Sequence, residues 1–179
     1  MNRNMDEIVD NFARWAAMSS ARQGCSLRGK KWYKHMNNLN FDRIMDTSKG
    51  PITSSEFDEW HKETVERLAK EAKVEIGWAA KIVNMILKVK VYIHGEGRNG
   101  LKEYIHPVID NKLIDELKKK YPLKSGNDKT RKIRYWLDKA KPISGIKSYG
   151  EYEKIIECFR QISKDYKMSL FEVEKFWRP

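Results

Sequence analysis

The chain has little sulfur chemistry to offer. Only two cysteines occur, Cys25 and Cys158, far apart and in no CxxC pair. Neither a thiolate zinc site nor an iron–sulfur cluster can be built from them. They are expected to be free thiols in a reducing, intracellular and thus cytoplasmic setting. Long apolar runs are missing as well: no stretch of about 18 uninterrupted apolar residues exists to span a bilayer. The opening MNRNMDEIVDNF lacks the apolar core of a signal peptide. Strand-like alternation is scarce, and no repeat period appears. The four histidines, His35, His61, His94 and His106, lack the i, i+4 pairing of a zinc helix, and WHKE is not HExxH. No metal and no cofactor are implied.

What is abundant is positive charge and aromatic side chains. Lys and Arg outnumber Asp and Glu by 36 to 25, a net charge of +11, which is the footprint of a polyanion binder. Six Trp, eight Tyr and six Phe supply the apolar bulk that disordered chains lack. A chain of 179 residues suits one compact domain, or two small lobes on one core.

Helical spacing dominates. IVDNFARWAAM sets Ile8, Phe12 and Trp15 on one face, and EFDEWHKETVERLAKEA does the same with Phe57, Trp60, Thr64, Leu68 and Ala72. Three capping boxes, Thr53 with Glu56, Ser148 with Glu151 and Ser169 with Glu172, mark helix starts. Helices are therefore expected over 54–73, 78–92, 111–120, 129–139, 149–166 and 170–177, an all-α fold with a cleft between helical layers. The segment 23–51 has weak periodicity. HGEGRNG lacks the GK[ST] ending of a phosphate cradle and reads as a solvated loop.

Chemistry gathers in GWAAKIVNMILKVKVYI. Lys81, Asn84 and Lys88 fall within an arc of about 60° on an otherwise apolar helix. A polar stripe on a buried helix costs free energy and calls for compensation. Just before it, LAKEAKVEIGW ends one helix and starts another, with Gly77 at the tight turn. The free N–H groups opening the second helix suit a DNA phosphate, which makes 54–92 a helix-hairpin-helix region with Gly77 and Trp78 at the DNA and Lys81 in its first turn. Downstream, over 106–120, Pro107 holds His106 extended and Asp110 sits at a helix start, where capping alone would explain it.

These features resemble the helix-hairpin-helix DNA glycosylase superfamily. The AAKIVNMILK run with two lysines seven apart, the interval to Asp110 and the terminal LFEVEKFW are most similar to the archaeal-type 8-oxoguanine DNA glycosylases. The likeness covers about 75–177. It implies Lys81 as the nucleophile and Asp110 as its carboxylate partner in a glycosylase and abasic-site lyase acting on duplex DNA with an extruded base. VEIGW departs from the family's two-glycine hairpin, keeping Gly77 and placing Glu75 where a phosphate would approach.

The residues themselves fit such chemistry. An attacking amine must be uncharged, which burial and nearby cations promote; Lys88 supplies such a charge, and Asn84 would orient the pair. A carboxylate near the sugar stabilises the cationic transition state. His106 is either a loop residue or a substrate contact beside Asp110. Trp60, Trp78, Trp136 and Trp177 are candidate pocket walls, with core packing as the alternative. The stretches KKWYKH and DKTRKIRYW interleave cations with aromatics, making Lys30, Lys31, Lys129, Arg131 and Arg134 candidate phosphate contacts, or simply a solvated face. A monomer is expected. The other readings are a non-catalytic nucleic-acid-binding module of the same fold, and an interaction protein for an acidic partner.

Overall fold

A computed structural model describes residues 3–21, 24–27, 31–122, 128–140 and 142–177. Among them the regular structure is all helical, with no strand. The α-helices are α1 Arg3–Ser20, α2 Lys31–Asn37, α3 Asp42–Met45, α4 Ser54–Ala72, α5 Ile76–Leu87, α6 Leu101–Tyr104, α7 Asn111–Lys120, α8 Asp128–Lys139 and α9 Tyr149–Tyr166. Short 3-10 turns cover Thr47–Lys49, Ile143–Gly145 and Phe171–Phe176. None of the described helices is long and apolar enough to cross a membrane.

The caps work as their spacing predicts. The Thr53 hydroxyl accepts from Glu56 N at 3.2 Å, and the Ser148 hydroxyl accepts from Glu151 N at 3.3 Å. The third box forms only in reverse: Glu172 accepts from Ser169 N at 2.8 Å, while the Ser169 hydroxyl is buried without a partner. Beyond that box the backbone winds into a 3-10 turn, Phe171–Phe176, and not the expected α-helix. The expected helix over 78–92 also divides, because after Leu87 the backbone widens into a π-helical turn over Lys88–Ile93.

Helix α5 is the axle of the fold. Ten of its residues, from Ile76 to Leu87, are buried, against α1, α4 and α9. Helix α1 packs on it with Ala13 and Ala17 buried, followed by Ala21 just past its end, each at most 1% exposed, because small side chains let two helix backbones approach closely. The larger Ile8, Phe12 and Trp15 point the other way, into solvent. Spacing alone identifies two faces of such a helix, and volume decides which one is packed inside.

The HGEGRNG segment is not the solvated loop its composition suggests. Arg98 is 6% exposed and donates to the carbonyls of Gly50 at 2.8 Å, Pro51 at 2.8 Å and Arg43 at 3.1 Å, and to the Glu56 carboxylate at 2.5 Å. A buried guanidinium is tolerable when its donors all find acceptors. Gly97, with φ of 110°, permits the loop to fold back over α3 and α4.

Gly77 sits inside the first turn of α5, and the left-handed residue of the preceding connection is Lys73, with φ of 54°. A Cβ on Gly77 would stand 2.1 Å from the Ile143 carbonyl oxygen, so the 143–145 turn lies against bare backbone. Gly77→Ala should therefore lower stability by about 2 kcal/mol, as overpacking does. Gly150→Ala, where a Cβ meets open space, should be neutral or stabilise by up to about 1 kcal/mol. Thermal melts of the two variants give this contrast directly.

Candidate functional site

Two residues distant in the chain meet at one cavity. Lys81 on α5 and Asp110 at the start of α7 line a space of about 470 Å3, together with Trp78, Ser19, Asn111 and the 142–144 turn. Lys81 lies in the second turn of α5, since that helix begins at Ile76. Burial lowers its amine pKa below the ordinary lysine value, and the negative charge of Asp110 acts in the opposite direction. Its ammonium lies 5.7 Å from the centroid of the Trp78 ring.

Asp110 both caps a helix and faces the cavity. One carboxylate oxygen accepts from Leu113 N at 2.8 Å, which is the capping role its position suggested. The other accepts from the Trp177 indole N–H at 2.9 Å. The carboxylate is thus held in a fixed orientation by two neutral donors, and its charge is not neutralised by an ion pair among the described residues.

The rest of the lysine stripe is put to other uses. Asn84 is 1% exposed and does not orient Lys81. Its carbonyl oxygen meets His61 Nε2 at 2.8 Å, and its amide donates to Tyr152 Oη at 2.9 Å and to the Pro107 carbonyl at 3.1 Å. Lys88 pairs with Glu174 at 2.5 Å and does not contribute to the lowered pKa of Lys81. Burial raises the Glu174 carboxyl, with Lys88 opposing, and Glu174 also accepts from Val108 N at 2.6 Å. The stripe therefore splits at three successive turns into a cavity lysine, a core amide and a partly buried ion pair.

His106 lies in the non-helical 105–110 segment before Pro107, as expected of a loop residue, but it is 2% exposed and its ring is bonded inside the protein. Its Nδ1 meets Tyr152 Oη at 3.0 Å and its Nε2 meets Asp58 Oδ1 at 3.2 Å. Arg160 closes the other side of Asp58 with contacts of 2.7 and 2.8 Å. The chain continues inward through Asn84 and His61 to Tyr149 Oη, 2.8 Å from His61 Nδ1. Sequence reasoning missed Asp58, Tyr149, Tyr152 and Arg160. One signal was present: His61 falls on the same stripe of α4 as Phe57, Thr64 and Leu68, all buried, so an interior partner was to be expected.

The proposed DNA contacts fare unevenly. The Gly77 N–H donates to the Ile146 carbonyl at 3.2 Å, so it is not a free phosphate donor, and Glu75 pairs with Lys147 at 3.0 Å. Trp78 is 5% exposed and walls the cavity. Trp60 is core, donating to the Asn40 carbonyl at 3.2 Å, and Trp136 is half-buried. Arg134 is a structural tie, donating to the Lys118 carbonyl at 2.8 Å and to Asp138 at 2.9 Å. Lys31, Lys129 and Arg131 are exposed; Lys129 pairs with Asp165 and Arg131 with Asp128. Lys30 lies outside the described residues. No group of side chains suited to a metal ion occurs among the described residues. Cys25 and Cys158 are buried, and neither is in a disulfide.

No family model, curated protein or solved structure matches this chain.

Burial pulls the pKa of both His61 and His106 below the ordinary value of 6.5, with Asp58 opposing at each. A histidine that resists protonation in the fold takes up its proton first in the unfolded chain. Its contribution is then intact above 6.5 and is lost as pH falls below that value. Urea melts between pH 7.5 and pH 5 should show stability falling by up to about 1.4 kcal/mol per pH unit for each histidine. His61→Gln should flatten that slope.

Proposed function

We propose that this protein is a DNA glycosylase with abasic-site lyase activity, in which Lys81 is the nucleophile and Asp110 its electrostatic partner. One observation carries the reading: an amine whose pKa is lowered by burial shares a cavity with an oriented carboxylate. The resemblance of the segment 75–177 to the helix-hairpin-helix glycosylases points to the same pair. The substrate is duplex DNA with one damaged or modified nucleotide turned out of the stack, since an enzyme acting on a base must extrude it.

The uncharged Lys81 amine attacks the anomeric carbon, the glycosidic bond breaks, and the base leaves with its bonding electrons, taking up a proton. Asp110 stabilises the positive charge that develops on the sugar. Loss of an amine proton opens the sugar ring and leaves an imine between Lys81 and the deoxyribose. Removal of the adjacent C2′ proton expels the 3′ phosphate and cuts the strand, and water then hydrolyses the imine to free Lys81.

The Gly77 N–H is already bonded within the protein, so the grip on the backbone falls to exposed cations. Lys31, Lys129 and Arg131 are the candidates, consistent with a net charge of +11. An intracellular, DNA-associated role is part of the same proposal.

Borohydride reduction during incubation with an abasic-site duplex should trap a covalent adduct with the wild type, and Lys81→Gln should trap none. Asp110→Asn keeps an equally good cap, so its melting temperature should stay close to wild type, while its trapping rate falls by about 10²-fold or more. Absence of any adduct with the wild type would remove the lyase reading.

A further inference from the structure

Helix α1 carries a feature that the lysine chemistry does not use. Met5, Ile8, Phe12 and Trp15 are 51%, 61%, 50% and 49% exposed, half of the large apolar side chains found open to water among the described residues. They recur at steps of three, four and three. That is the spacing of the a and d positions of a helix-pairing seam. At 100° per residue the four positions fall within an arc of about 80°, opposite the alanine face packed on α5. The Phe12 and Trp15 rings are stacked, with centroids 5.7 Å apart and planes 28° from parallel.

The chemistry of the flanks decides what covers this seam. Val9 and Ala16 border it on one side and Asn11 and Met18 on the other, all uncharged. The charged Asp6, Glu7, Asp10 and Arg14 lie on the remaining faces, where Asp10 pairs with Lys90 and with Arg14. A DNA backbone asks for cations beside the aromatics, and here the nearest charges are mainly acidic. A bilayer surface asks for a Lys/Arg-rich polar face, which is absent. A second copy of the same helix meets no like charge across the seam, although the whole chain carries +11.

Side-chain size sets the direction. The aliphatic residues occupy the first half of the seam and the aromatic residues the second. Parallel pairing would set Trp15 against Trp15. Antiparallel pairing sets Ile8 against Phe12 of the second copy, and Met5 against Trp15 of the second copy, joining a thioether to an indole and opposing the helix dipoles favourably.

We propose that α1 is a dimerisation helix, through which two copies of the chain pair antiparallel about a two-fold axis near the middle of the seam. The sequence reading expects a monomer, and this surface departs from it. The interface is small, so the dimer is weak, in the micromolar range or above.

Sedimentation or light scattering of the full chain over a range of micromolar concentrations should show a reversible monomer–dimer equilibrium. Phe12→Glu and Ile8→Lys should each weaken it by about tenfold or more, with melting temperatures unchanged because both side chains are in solvent. Mixing the two variants should restore dimers, since antiparallel pairing sets the new glutamate against the new lysine. A wild type that stays monomeric throughout, or variants that dimerise like the wild type, overturns the proposal. Lower DNA affinity of a monomeric Phe12→Glu would overturn it too, by giving the stripe to nucleic acid. Mixed variants that remain apart would overturn the antiparallel pairing.

Discussion

The Asn84 side chain is the fixed point of this molecule. It lies in the middle of the most buried helix, where an amide is tolerable only if its donors and acceptor are engaged. His61, Tyr152 and the Pro107 carbonyl engage them, each from a different element. One side chain thereby sets α4, α9 and the 105–110 segment relative to α5. The position of Asp110 is fixed in turn, because it stands three residues beyond Pro107 and is clamped again by Glu174 at Val108 and by Trp177 at its own carboxylate. The distance across the cavity is thus governed by a network that never touches it.

That division explains why three polar residues in line share no single task. A stripe over three turns of a buried helix faces three environments in succession: an open cavity, a dry core and the underside of the C-terminal segment. Lys81 can be stripped of its proton most readily because its positive charge is poorly solvated and has no ion-pair partner among the described residues. Lys88, two turns on, is paired with Glu174. In the proposed chemistry only the first of these two lysines is a nucleophile.

Much of the architecture was legible in the chain. Helices α7 and α9 begin and end at the residues that spacing and caps indicate, because an Asp or Ser cap ahead of an amphipathic run is a local signal that needs no tertiary help. The meeting of Lys81 and Asp110 was reachable only through a family resemblance, with no local rule to suggest it. The Arg98 clasp and the network from Asp58 to Tyr149 were hidden for a common reason. Glycine-rich and charged stretches look solvated in isolation, and it takes carbonyls from elsewhere to bring Arg98 inside. Gly77 misled in the opposite sense, since its missing side chain serves the neighbouring 143–145 turn and not a phosphate.

Both native thiols are out of reach of solvent, at 2% exposure for Cys25 and 4% for Cys158, and burial pushes the latter's pKa up to about 12. Alkylating reagents act on the thiolate and need access to it. A single cysteine introduced on the outer surface would thus be the one position to take a maleimide dye or spin label, leaving the natural pair in place as part of the packed interior.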